Sequence, residues 1–113
     1  MGVRMIDWDR VKELRGEIGA EDFDEVVGLF LEEADECLAR LAPDMGSKAL
    51  AAELHFLKGA ALNLGFAALS CLCQDGERRA NARDVTVDME AVRSTYLDCR
   101  SEFERQAGAA FAG

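Results

Sequence analysis

Histidine occurs once in these 113 residues, at His55, and proline once, at Pro43. Any imidazole chemistry of the chain therefore rests on a single position. No segment approaches the roughly 20 consecutive apolar residues that span a membrane, and Met1 to Met5 lacks a secretory apolar region. A soluble, cytoplasmic protein is expected. Basic residues are the scarcer charge, 13 against 22 acidic ones, for a formal net charge of −9. Such a body repels phosphate-rich polymers, which argues against nucleic acid as a partner. Repeats, low-complexity segments, internal linkers and glycine-rich nucleotide motifs are all absent. ATP hydrolysis is not expected.

What is present fits one compact domain. The length is near the modal domain size and half of the residues are apolar by a broad count, enough for one core. We read residues 1–113 as a single domain, ordered from about 6 to 106, with Ala107 to Gly113 free to fray. Cys37, Cys71, Cys73 and Cys99 all fall within helical patterns, so reduced core thiols are a better reading than a disulfide scaffold. Cys71 and Cys73, two apart, point to different sides of a helix, which disfavours a zinc site.

Apolar spacing predicts four longer helices and a short first one. Asp7 can cap a helix carrying Trp8, Val11, Leu14 and Ile18, which Gly19 ends. The second, roughly Glu21 to Leu41, places Phe23, Val26, Val27, Phe30, Ala34, Leu38 and Leu41 on one face. Pro43 and Gly46 mark a turn, Ser47 can cap the third helix, and Gly65 suits the left-handed conformation past its end. A fourth runs from about Phe66 to Arg83 with Leu69, Leu72, Cys73 and Ala80 inward. Thr86 or Asp88 can cap a fifth, with Met89, Val92, Tyr96, Cys99 and Phe103. Short connections make successive helices antiparallel neighbours. The expected fold is all-α, an up-down-up-down four-helix bundle with the short N-terminal helix closing one end.

The third helix is the most informative. Leu50, Leu54, Leu57, Ala61 and Leu64 recur at the spacing of one buried stripe. At about 100° per residue, His55 points roughly 140° away from that stripe, toward water. Its neighbours at three and four positions are Ala51, Ala52, Lys58 and Gly59. Small residues nearly surround the imidazole. Glycine within a helix costs roughly 1 kcal/mol relative to alanine, and clearance for an approaching partner is one reason to have Gly59 there. Met45 to Leu72 also carries a net +1, from Lys48 and Lys58 against Glu53, on an otherwise acidic chain.

His55, Lys58, Gly59, Asn63, Gly65 and Leu69 match, in order and spacing, the signature of the histidine-containing phosphotransfer (HPt) domains of bacterial two-component phosphorelays. Phe23, Leu29, Phe30, Leu31 and Glu32 resemble the phenylalanine-rich second helix of that family, and Glu77 falls where it places a polar residue facing the histidine. The resemblance covers roughly Ile6 to Phe103. Ala60 stands where a serine or other small polar residue is frequent, Phe66 where alanine is common and Gly76 where leucine is common.

The resemblance implies a phosphorelay intermediate rather than an enzyme with kinase or ATPase activity. His55 would be the phosphoacceptor, Lys58 would offset phosphoryl charge, Gly59 would give a partner access and Glu77 would orient the imidazole. Imidazole as a class has a pKa near ~6.5, leaving a neutral, nucleophilic fraction at cellular pH. The implied partners are response-regulator receiver domains, a hybrid histidine kinase, or both. The chain would need no cofactor or metal, since Mg²⁺ in the family belongs to the receiver; a monomer is the default for an acidic bundle without an evident spare apolar face. Two other readings stay open: a non-phosphorylated docking or scaffold module of the same fold, and a cysteine and histidine metal protein.

Overall fold

The computed structural model describes residues 4–83 and 86–111, at 110 and 111 the backbone alone. The ends that the single-domain reading includes, residues 1–3 and 112–113, lie outside the described residues. Among those described there are five helices and no strand: α1 (Trp8–Ile18), α2 (Ala20–Arg40), α3 (Ser47–Leu64), α4 (Ala67–Asn81) and α5 (Met89–Phe111). No helix among the described residues is long and apolar enough to cross a membrane.

The starts and stops follow local chemistry. The Asp7 carboxylate accepts a hydrogen bond from the Arg10 backbone N–H and caps α1. Asp88 does the same for α5 through the N–H of Ala91, which decides between the two candidate caps there. Gly19 takes a φ of 99° between α1 and α2. Gly65 ends α3 in the left-handed region, with the Phe66 N–H returning 2.8 Å to the Ala61 carbonyl. One cap differs from expectation: Gly46 takes the N-cap position of α3, and Ser47 is already its first helical residue, without a side-chain cap. α5 also runs on through Ala107 to Phe111 where fraying was expected.

Packing builds one core. α3 packs against α4 most extensively and also against α2 and α1; α4 packs against α5, and α1 against α2. Side chains link α5 back to α2. The buried Tyr96 donates to Asp35 Oδ1 at 2.8 Å, and Arg93 donates to the carbonyls of Leu38 and Leu41 at the end of α2. The Leu38 carbonyl also accepts from the Leu41 N–H at 3.3 Å, and Arg93 adds a side-chain donor to these acceptors at the helix end.

The buried face of α2 is rotated from the expected stripe. Leu31 and Cys37 join Phe23, Val27, Ala34 and Leu38 inside, whereas Val26 and Phe30 are only half-buried. The cause is that α2 is contacted by α3 on one flank and α5 on the other, which widens its covered sector. Leu72 of α4 is likewise half-buried rather than inward. Of the four cysteines, Cys37, Cys73 and Cys99 are buried and Cys71 is exposed, so only three are core thiols; all four are free.

The departures at Phe66 and Gly76 have packing reasons. Phe66 is fully buried, 5.9 Å edge-on from the Phe103 ring and 6.4 Å from Tyr96, while Trp8 stacks on Phe103 at 5.6 Å. The turn after α3 is thus held to α5 by aromatic contact, and Trp8 of α1 joins the cluster through Phe103. A Cβ on Gly76 would lie 2.9 Å from Leu54 Cδ1 and 3.4 Å from Val87 Cγ1. Glycine is what lets α4 approach α3 this closely.

Candidate functional site

α3 buries Leu50, Leu54, Leu57, Ala61 and Leu64. That stripe fixes the rotation of the helix and turns His55 outward, its side chain 71% exposed. Close α3–α4 packing then brings Glu77 up to it. His55 Nδ1 lies 2.9 Å from Glu77 Oε2, and Lys58 Nζ lies 2.8 Å from Glu77 Oε1. One carboxylate therefore holds both groups. Lys58 and Glu77 are themselves mostly covered, 24% and 14% exposed, so their pairing is set among neighbours rather than in free solvent.

The electrostatics determine which ring nitrogen carries the proton. Lys58 beside it, and then His55, hold the Glu77 carboxyl below the usual carboxylate range. An ionised carboxylate can only accept. The contact at Nδ1 must therefore be N–H donating to Glu77, and in the neutral ring the lone pair is on Nε2. That nitrogen has no partner among the described residues.

Around this atom the surface is low. A Cβ placed on Gly59 would meet nothing within 4 Å, so no internal packing demands glycine there. Ala51 and Ala60 are buried and Ala52 is exposed. Asn63 is spent within the fold, donating to the Gly59 carbonyl at 3.1 Å and accepting from Arg10 at 3.2 Å. Gly65 accepts from the Asp7 N–H at 2.7 Å, tying the entry segment of α1 to the end of α3. Both residues brace the helix end and do not approach the imidazole.

Next to His55 a groove of about 260 Å³ runs between α2 and α3, lined by Phe30, Glu33, Phe56, Gly59, Ala60 and Asn63. Phe56 is 43% exposed and Leu62 55%. Phe56 and Glu33 were not singled out from the sequence. Phe56 had a signal, an aromatic residue facing away from the leucine stripe of its own helix. Glu33 had none, because only the packing of α2 on α3 shows which of its many carboxylates borders the histidine.

Other polar clusters are structural. Arg40 holds Glu53 through both its oxygens, at 2.8 and 3.0 Å, and Cys37 donates to the same carboxylate at 3.1 Å. Burial first, and then Glu53, pushes the Cys37 thiol up to about 12. Such a thiol is inert as a nucleophile at neutral pH. Among the described residues no group of three or more His, Cys, Asp or Glu side chains is placed to hold a metal ion.

An exposed imidazole with its Nδ1 held by a carboxylate, a cation one turn along the helix and a cleared approach is an arrangement suited to accept an electrophile at Nε2. Comparison with known proteins gives the context for it. Residues 25–107 match the family model of the Hpt domain, the phosphotransfer module of two-component signalling. No curated protein and no solved structure matches the chain. The family model spans well over half of the chain and includes all of α3 and α4, and the chain belongs to the Hpt domain family.

Proposed function

We propose that this chain is a phosphorelay intermediate in which His55 takes a phosphoryl group from the aspartate of one receiver domain and passes it to the aspartate of another. The observation that carries the reading is the 2.9 Å contact between His55 Nδ1 and Glu77, which leaves Nε2 as the free, exposed nucleophile. The Nε2 lone pair attacks phosphorus of the acyl phosphate as the bond to the aspartyl oxygen breaks, and the receiver regains its carboxylate. No proton has to move, because Nε2 carries none. The charge that forms on the ring is met by Glu77 across the Nδ1–H bond.

Lys58 is the second part of the device. Its ammonium rests on Glu77 and lies one helical turn from His55, from where it can turn to a phosphoryl oxygen on Nε2 and offset its charge. Gly59 keeps the approach open for the nearly in-line geometry that phosphoryl transfer requires. Mg²⁺ is supplied by the receiver, so no metal or cofactor is assigned to this chain, and the source of phosphate is a separate kinase. In this reading α2 to α5 form an antiparallel up-down-up-down bundle with α1 across one end, acting as a single domain, a monomer and a cytoplasmic protein.

The test is incubation with a receiver domain phosphorylated from a small-molecule donor, in Mg²⁺, followed by mapping of acid-labile phosphate. Label is expected on wild-type His55 and none on His55→Gln, with helicity unchanged. Label persisting in His55→Gln would overturn the site. Absence of label from the folded wild type with several receivers would favour a docking module instead.

A further inference from the structure

The groove beside His55 holds an unspent charge. Of the carboxylates that border the α3 surface, Glu77 is held by Lys58 and His55, and Glu53 by Arg40 and Cys37. Asn63, the remaining polar residue of the groove apart from His55, is engaged with Gly59 and Arg10. Glu33 is different. It is exposed, it lines the same groove as His55, Phe56 and Gly59, and it has no hydrogen bond or ion pair among the described residues. The groove thus offers an approaching surface two open polar groups, the nucleophilic Nε2 and an anion, alongside the apolar side chains of Phe30 and Phe56.

We infer that Glu33 is a specificity-determining residue: the groove selects receiver domains that present an aliphatic side chain against Phe30 and Phe56 and a lysine or arginine against Glu33. The inference rests on the relay reading above and adds a partner chemistry to it. Charge complementarity carries it. A receiver must bring an anionic, phosphorylated pocket to His55, where Lys58 and the nearly neutral α3 surface accept it. The same surface then passes over Glu33, where an anion would be repelled and a cation drawn in. A charge of this kind sits at the rim of the contact, so it acts on encounter and on discrimination between partners more than on the chemical step.

The experiment measures transfer from a phosphorylated receiver that labels wild type, at low and at high salt, for wild type, Glu33→Gln, Glu33→Lys and Glu21→Lys. Glu21 lies in the first turn of α2, remote from the groove, and controls for net charge. Expected is a rise in KM of about three-fold for Glu33→Gln and about ten-fold for Glu33→Lys at low salt, shrinking at high salt, with little change in saturating rate. Glu21→Lys should transfer as wild type does. Exchanging the receiver's facing lysine or arginine for glutamate should restore transfer to Glu33→Lys. An unchanged KM for Glu33→Lys at low salt, with wild type labelled, would overturn this inference and leave the relay reading standing. An equal loss in Glu21→Lys would reduce the effect to net charge and also overturn it. A wild type that takes no label from any receiver removes the relay reading and this inference with it.

Discussion

At the scale of single residues the site is an exercise in holding one nitrogen and freeing the other. Glu77 accepts from Nδ1 and from Lys58, and the cleared surface over Gly59 leaves the rest to a partner. Gly59 has no packing reason to be glycine, so Gly59→Ala should raise stability in chemical denaturation by up to about 1 kcal/mol. The same variant should slow transfer, and a bulky residue there should slow it far more. The thiols make a second residue-scale prediction. Burial pushes Cys73 up to about 12 and Cys99 up to about 11, as it does Cys37. A thiol raised in the folded state favours folding fully below its ordinary value of 9.0 and loses that contribution as the pH rises through the folded one. A thiol reagent at neutral pH should therefore modify Cys71 alone of the four, and stability should decline between about pH 9 and 12 as the buried thiols ionise.

At the scale of elements, what was legible in the sequence is what obeys a local rule. The leucine stripe of α3 fixed where His55 points, because helical period alone sets it. Asp7 and Gly65 were readable as cap and stop from their own chemistry. Gly46 displaced Ser47 as the α3 cap, since a glycine in extended backbone serves that position when the turn supplies it. The sector of α2 that is covered, with Leu31 and Cys37 inside, and the place of Glu33 in the groove depend on how three helices meet. No window along one helix contains that. Phe66 and Gly76 show the same limit: both read as departures, and both are explained by contacts to other elements, Phe103 and Tyr96 of α5 for Phe66 and Leu54 of α3 with Val87 for Gly76. Phe66→Ala should cost about 3–5 kcal/mol in thermal or denaturant unfolding. Gly76→Leu, forced against the buried Leu54, should cost about 1–3 kcal/mol through overpacking.

At the scale of the whole molecule, the five helices of the described residues and a chain of net charge −9 frame a small region of different character. α3 carries the imidazole, α4 brings the Glu77 carboxylate to 2.9 Å from its Nδ1, and α2 contributes the flank of the groove beside it. α5 meets the turn between α3 and α4 through Phe103 and Tyr96, and the residue before α1 meets it through the Asp7 N–H on the Gly65 carbonyl, so the turn joining the two site helices is braced by the rest of the fold. The proposed relay chemistry turns on which nitrogen of His55 receives the phosphoryl group. The most direct measurement is a long-range proton–nitrogen NMR spectrum of the single imidazole, taken before and after phosphorylation of the intact chain by a phosphorylated receiver. Expected are a proton on Nδ1 at rest and a phosphorus bonded to Nε2 afterwards, with the Nδ1 proton retained. A resting proton on Nε2, or phosphorus on Nδ1, would contradict that chemistry.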